Sequence, residues 1–300
     1  MSWLVLSLLS AAVFGAVNIA DKQLVSRYMP SFGSVVLWLG IYSLGFALLA
    51  FFLAPLPPGT SAAAPLVAVA SGLMWGASLL LVFRALRVGE VSRVVPVFHT
   101  FPIFVAILAV VFLGERLGWL QWLAVMATVA GAVLISLRGS LRGWRLTLDS
   151  SFAYLMLAAF ITAVAQVVGK YALDRLPLWN VFAFRNMGLA VPLLLYMRPS
   201  TLREVAGSLK RWDSALVMVV WEGMGAGLGV WITLAAIQAG PVSLVTAVMG
   251  VRPFFVFLYS SLLSAPWWRF LDEPLQRSTL AVKLASILLI VVGIATVSLG

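Results

Sequence analysis

The sequence predicts an all-α integral membrane protein of ten transmembrane helices, arranged as two inverted five-helix repeats. Three observations carry this expectation. Hydrophobic residues make up 63% of the 300-residue chain and charged residues only 10%, against roughly 25% charged in a soluble domain. Apolar runs of about 20 residues recur along the whole length, each long enough to cross the hydrocarbon core as a helix. The chain also repeats itself. Residues 85–92 read Ala-Leu-Arg-Val-Gly-Glu-Val-Ser and residues 236–243 read Ala-Ile-Gln-Ala-Gly-Pro-Val-Ser, an offset of 151 that also carries Gly72 onto Gly223, Pro102 onto Pro253 and Phe104 onto Phe255. A fixed period near half the chain length marks a tandem duplication.

The first repeat, residues 1–137, is expected to hold spans 3–23, 32–54, 62–86, 92–113 and 118–137. Residues 3–20 resemble a signal sequence in hydrophobicity. No basic segment precedes them, and they have a counterpart in the second half, so they read as a mature helix. Pro55, Pro57, Pro58 and Gly59 break the chain between the second and third spans. Residues 138–150 link the halves, and residues 151–300 form the second repeat with spans 151–173, 178–197, 213–238, 242–264 and 278–299. The polar stretch 199–212 reads as a short surface helix, and residues 265–277 lengthen the last loop.

The duplication reaches all five spans. Lys22 falls opposite Lys170 and Asn18 opposite Gln166 at offset 148, Trp38 opposite Arg185 at offset 147, and Leu113-Gly-Glu-Arg-Leu117 matches Leu271-Asp-Glu-Pro-Leu275. Five is odd, so the second repeat enters the membrane from the opposite side. Inverted repeats of this kind place a substrate site between them near mid-membrane.

Orientation follows from basic residues near span ends. The loops after odd-numbered spans carry fourteen: Lys22, Arg27, Arg84, Arg87, Arg93, Arg138, Arg142, Arg145, Arg198, Arg203, Lys210, Arg211, Arg269 and Arg277. The other side carries Arg116, Lys170 and Arg175. This bias puts the first set in the cytoplasm and both termini outside the cell membrane. It also accounts for the net charge of +10 without a nucleic-acid partner, which needs a basic face on a water-exposed module.

The repeated Ala-x-x-x-Gly-x-Val-Ser segment, the prolines Pro102 and Pro253 in the spans that follow, and Phe-Leu-Gly-Glu at 112–115 resemble the ten-helix EamA-like members of the drug/metabolite transporter superfamily. The resemblance implies export or exchange of small metabolites such as amino acids, sugars, nucleotide sugars or drugs, by alternating access and without ATP. Two departures stand out. The second repeat has Leu-Asp-Glu after an insertion, and the usual family orientation has cytoplasmic termini, which the charge count opposes.

Ionisable groups inside a bilayer cost about 2.5–3.5 kcal/mol on insertion scales and are functional candidates by default. Here they are Arg185, Glu222 and Arg252, with His99 as the one histidine. Glu222 and His99 are candidates for proton coupling. Glu222 lies in Trp-Glu-Gly-Met-Gly-Ala-Gly-Leu-Gly, 221–229, whose glycines admit another helix or a ligand. Arg252, ahead of the kink-forming Pro253, and Arg185 suit a carboxylate or phosphate. The plainer alternative is an ion pair of Glu222 with one of the arginines. Asn186 beside Arg185, the matched pair Asn18 and Gln166, and the in-span aromatics Trp38, Tyr42 and Trp75 complete the candidate substrate site.

Absences narrow the class. There is no cysteine and no second histidine for a transition-metal site, so no metal or cofactor is expected. No phosphate-binding loop or hydrolase motif occurs, so neither ATP coupling nor an enzyme is expected. The expected partners are a small-molecule substrate and the lipid bilayer, with a monomer or homodimer as the assembly. The solute is expected to be anionic or zwitterionic. The alternative is a flippase or scramblase for lipid or polyprenyl phosphate, with Arg185 and Arg252 reaching a headgroup from a sideways-open groove.

Overall fold

The computed structural model describes residues 2–88, 97–136, 150–263 and 289, and every regular element among them is helical. α1 (Trp3–Gln23) begins at Ser2, whose hydroxyl accepts from the Val5 N–H, and runs into a π-helical turn, Leu24–Tyr28. α2 (Phe32–Leu53) starts from a reciprocal cap between Ser31 and Ser34, which satisfies backbone donors that the first helical turn leaves open. α3 (Ala63–Val88) follows the proline-rich break. α4 (Phe101–Leu108) continues as a π-helical turn, Ala109–Leu113, and stops at Gly114 with φ 68°, the left-handed stop that glycine adopts without strain. α5 (Trp119–Ser136) and α6 (Ser150–Leu173) follow.

In the second half, α7 (Leu178–Leu194) bends by 117° into α8 (Pro199–Leu209). α8 lies where the polar stretch predicted a surface helix. It is tied to the α1–α2 connection by a hydrogen bond from Ser31 to Glu204 and by Ser208 Oγ donating to the Tyr28 carbonyl at 3.1 Å. α9 (Trp212–Ala239) is continuous but π-helical from Val217 to Gly225. α10 (Val242–Met249) and α11 (Arg252–Leu263) form one interrupted span, broken just before the Arg252-Pro253 pair.

Among the described residues, six stretches are long and apolar enough to cross a membrane: α1, α2, α3, α6, α9 and Val242–Ser260. The α7–α8 pair makes a seventh with its bend, and Phe101–Leu113 and Trp119–Gly131 are shorter apolar helices. The expected last span, 278–299, the linker 138–149, the insert 265–277 and the start of the fourth span lie outside the described residues.

Three kinds of seam hold the bundle. α1 runs antiparallel to α9: the Ser10 hydroxyl lies 2.8 Å from that of Thr233 and donates to the Gly229 carbonyl at 3.2 Å. α3 runs antiparallel to α6 in the same manner. Ser78 Oγ donates to the Ala158 carbonyl at 2.7 Å and Ser71 Oγ to the Ala165 carbonyl at 2.7 Å. α3 and α7 meet backbone to backbone through small residues, the packing that apolar surroundings favour. A Cβ on Gly72 would sit 2.0 Å from the Arg185 carbonyl oxygen, and one on Gly188 2.1 Å from that of Val69.

The α2–α9 seam is different, because aromatic side chains fill it. Trp38 Nε1 donates to the Met218 carbonyl at 3.1 Å, and the Phe46 ring occupies the space where a Cβ on Gly227 would fall, 2.4 Å away. The Gly-Glu pair after α4 has a cross-half role. Glu115 accepts from the Val242 N–H at 2.6 Å, the Ser243 N–H at 3.3 Å and the Ser243 hydroxyl. It thereby caps the N-terminus of α10, where open backbone donors and the helix dipole favour a carboxylate.

Candidate functional site

Two polar stations lie along the α1–α9 seam. The first is cationic. Arg185, brought in by α7, is 1% exposed and donates from Nη2 to Gln166 Oε1 on α6 at 2.9 Å. Its guanidinium lies 4.9 Å from the Trp75 ring, and Gly169 leaves the room it occupies: a Cβ there would be 2.8 Å from Nη1. Arg252, at the start of α11, lies 4.1 Å from the Phe14 ring. Both arginines line one small cavity of about 10 Å³, room for about one water molecule, with Phe14, Trp75, Gln166 and Thr233. Arg185 Nε and Nη1 and Arg252 Nε carry no hydrogen-bond partner. Buried donors are nearly always paired, so three open donors around one cavity describe a place for acceptor atoms.

The second station is acidic. Glu222 is 2% exposed and sits in the π-helical stretch of α9. Asp21 at the end of α1 and Tyr42 from α2 lie close to its carboxyl group, and Oε2 has no hydrogen-bond partner. A Cβ on Gly225 would fall 3.1 Å from the Val17 side chain, a register that sets Asp21, one turn further along α1, beside Glu222. Phe14 and Asp21 are seven residues apart on α1, so the stations are separated by roughly two turns, ~10 Å.

This arrangement sorts the expected residues. Glu222 lies beside Asp21 and Tyr42, and Arg185 is joined to Gln166, so the expected alternatives of a Glu222 ion pair with either arginine are not the contacts formed. Tyr42 belongs to the acidic station rather than to the arginine cavity. Trp75 and Gln166 line that cavity. Trp38 fastens α2 to α9 through Met218. Asn186 donates to its own helix at the Phe182 carbonyl, 2.8 Å, and is 2% exposed. Asn18 is exposed on α1, away from its sequence counterpart Gln166. His99 is half-buried within electrostatic reach of Arg252, and its Nδ1 has no partner. Among the described residues no cluster of three or more His, Asp or Glu side chains suits a metal ion.

Sequence reasoning missed Asp21 and Gly169. Asp21 lies near the end of the first span, next to Lys22. The available signal was the antiparallel register: Ser10 meets Thr233 and Phe14 meets Gly229, which brings Asp21 to Glu222.

Residues 1–137 match the profile of the EamA-like transporter family. Over 66 residues, 22% of this chain, the sequence is 47% identical to an uncharacterized transporter of a Sinorhizobium species, covering 47% of that protein. Over 211 residues, 66% of this chain, it is 25% identical to an uncharacterized transporter of a Synechocystis species, covering 56% of that protein. The chain thus spans about half the length of the curated relatives it matches. One solved crystal structure shares the fold with a TM-score of 0.73 over 99% of this chain and 96% of its own, at 16% identity. The chain therefore has helices long and apolar enough to cross a membrane, and its first 137 residues are similar to the EamA-like transporter family.

Proposed function

We propose that the chain is a secondary transporter that moves a small anionic or zwitterionic organic metabolite across the cell membrane by alternating access. The observation that carries this reading is the buried Arg185 and the half-buried Arg252 converging on one cavity with open donors. A guanidinium binds carboxylate or phosphate in a paired, planar geometry. Thr233 and Gln166 supply neutral polar contacts beside it. A carrier of organic cations would place surplus acid at this cavity, whereas the acids here sit two helical turns away.

Alternating access by two inverted five-helix repeats is supported by the seams. The Ser10–Gly229 contact and the Ala158–Ser78 contact occupy repeat-equivalent positions, since 10 + 148 = 158 and 229 − 151 = 78. Meanwhile the α3–α7 seam is closed on glycines and its equivalent, α2–α9, is filled by aromatic rings. One closed and one wedged seam is what a carrier caught facing one side requires. Coupling runs through a proton on Glu222. The basic loops face the cytoplasm and both termini lie outside, so labelling of residues 199–212 from the outside of intact cells is expected to fail.

The test is a thermal-shift screen of purified protein against anionic, zwitterionic and cationic metabolites. A ligand that binds the folded state alone raises the melting temperature by mass action. A hit among anions or amino acids that is lost in Arg252→Leu and in Arg185→Leu supports the reading. A hit that survives both substitutions refutes the arginine site.

A second reading, transport of a lipid or polyprenyl phosphate, has one observation in its favour. A groove of about 560 Å³ between α3, α4 and α6 is lined by apolar side chains such as Val67, Leu108, Phe112 and Phe160. Shifts with phospholipid and none with soluble metabolites would select it.

A further inference from the structure

The acidic station is not required by an anion-binding cavity, and its position in the repeat gives it a meaning. The first-span offset of 148 carries Asp21 onto Gly169, and the third-span offset of 151 carries Ser71 onto Glu222. Gly169 and Ser71 touch: a Cβ on Gly169 would lie 3.1 Å from Ser71 Oγ and 2.8 Å from Arg185 Nη1. The remaining member, Arg185, corresponds to Trp38, one turn before Tyr42 on α2. So the place that holds Arg185 in one half holds Asp21 and Glu222 in the other. The duplication has produced two equivalent stations, one basic and one acidic.

We infer that Asp21, Glu222 and Tyr42 form a proton-binding site in which the two carboxyl groups share one proton, and that this site is the repeat-equivalent partner of the arginine station. The inference rests on the transporter reading for its purpose, but not for its chemistry. Glu222 is buried with Oε2 unpartnered, and Asp21 is half-buried at the end of α1. The antiparallel register, with Ser10 against Thr233, Phe14 against Gly229 and Val17 against Gly225, places the two side chains side by side. Two neighbouring carboxylates repel strongly where water is scarce. The pair therefore takes up or releases a proton as a unit rather than as two independent acids. Tyr42 lies against the same carboxyl group and ties its state to α2, the helix that the wedged seam keeps apart from α9.

Among the described side chains, the titratable groups facing Glu222 are Asp21 and Tyr42. The other charged groups on elements packed against α1 and α9 are otherwise engaged. Arg185 reaches Gln166, Lys170 reaches the Ile237 carbonyl at 3.0 Å, Arg252 lies over Phe14, and Arg27 lies over Tyr28. His99 lies beside Arg252.

Infrared difference spectroscopy of the full-length protein in lipid nanodiscs, titrated with acid and base, reads the proton without a substrate. A protonated carboxyl C=O band that titrates in one step in the wild type, and is lost in both Asp21→Asn and Glu222→Gln, supports shared occupancy. Tyr42→Phe keeps both carboxyl groups and is expected to shift the band without removing it. A band that titrates unchanged in Asp21→Asn overturns the inference, as does a site that answers to sodium concentration and not to pH. Thermal unfolding of each variant confirms that it is folded. Succinate and glutamate shifts on the same variants keep the two ideas apart. Anion binding lost in Arg252→Leu while the band fails the test overturns the proton site alone. A shared band with no arginine-dependent anion binding supports the proton site and overturns the anion site alone.

Discussion

Gly72 and Gly223 stand 151 residues apart, the offset of the proposed repeat, in opposite situations, and this makes them a sharp test of the proposed transport cycle. A methyl group on Gly72 would lie 2.0 Å from the Arg185 carbonyl oxygen and 2.8 Å from the Leu189 nitrogen. Both obstacles are backbone, so α3 and α7 must separate. Overpacking of this kind costs about 1–3 kcal/mol or more, against the ~1 kcal/mol that alanine gains over glycine inside a helix. A net loss of roughly 2 kcal/mol corresponds to a melting point lower by about 4 °C, taking ~2 °C per kcal/mol for a large domain. A methyl on Gly223 meets only the Met218 carbonyl oxygen at 3.3 Å, in its own helix. Gly223→Ala is therefore expected to leave the melting point unchanged or slightly raised.

The difference becomes functional if the α2–α9 seam closes in the other half of the cycle. The contact of Val69 with Gly188 then reappears between the equivalent residues Val220 and Ile41. The chain has no cysteine, so Ile41→Cys and Val220→Cys can be introduced without background. Disulfide formation requires the two Cα atoms to come within about 7 Å. The double variant is expected to cross-link in membranes, and adding Gly223→Ala is expected to suppress the cross-link by holding the helices apart. A Gly72→Ala protein with wild-type melting would refute the packing argument. Absence of the cross-link, or cross-linking indifferent to Gly223→Ala, would refute the exchange of seams.

Other substitutions probe single elements. Glu115→Ala removes three hydrogen bonds at the α10 N-terminus and is expected to cost about 2–3 kcal/mol, with Glu115→Gln losing roughly half as much; differential scanning of purified protein reads both. Gly169→Ala drives a methyl toward Arg185 Nη1 at 2.8 Å. Because a flexible guanidinium can yield where a backbone cannot, it is expected to weaken anion binding at least tenfold while lowering stability little. Ser78→Ala breaks its bonds to Ala158 and Thr162 and is expected to cost about 1 kcal/mol, measurable by thermal unfolding.

The membrane class and most helix ends were legible because both follow from one-dimensional patterns: apolar length and proline breaks. An interruption near Arg252 was legible for the same reason, since proline removes a helical hydrogen bond and crowds the turn before it; the break falls at Gly250 and Val251. Partner choice was not. Arg185, Arg252 and Glu222 were recognisable as buried charges, yet which charges meet depends on which helices pair, and pairing is long-range. The repeat hid Asp21 as well, because its counterpart is Gly169, which carries no polarity to flag the position. The π-helical stretch of α9 leaves no periodic mark either, since Glu222 is its one polar side chain among apolar residues and glycines.

That stretch decides where Glu222 points. In an α-helix one residue corresponds to about 100° of rotation, so the register change spread over Val217–Gly225 sets the direction of Glu222 relative to Thr233 on the regular part of the same helix. π-bulges recur at functional sites, and here the bulge lets one helix present an acid to Asp21 and a hydroxyl to the arginine cavity. Deleting Val220, which is 44% exposed, shortens the stretch by one residue and favours regular α-helix. The expected protein remains folded and still binds an anion, because Val230, Thr233 and Leu234 keep their place around the cavity. It loses the shared carboxyl band, because Glu222 turns away from Asp21 by about 100°. A deletion variant that keeps both the band and its single-step titration would show that the bulge does not position Glu222.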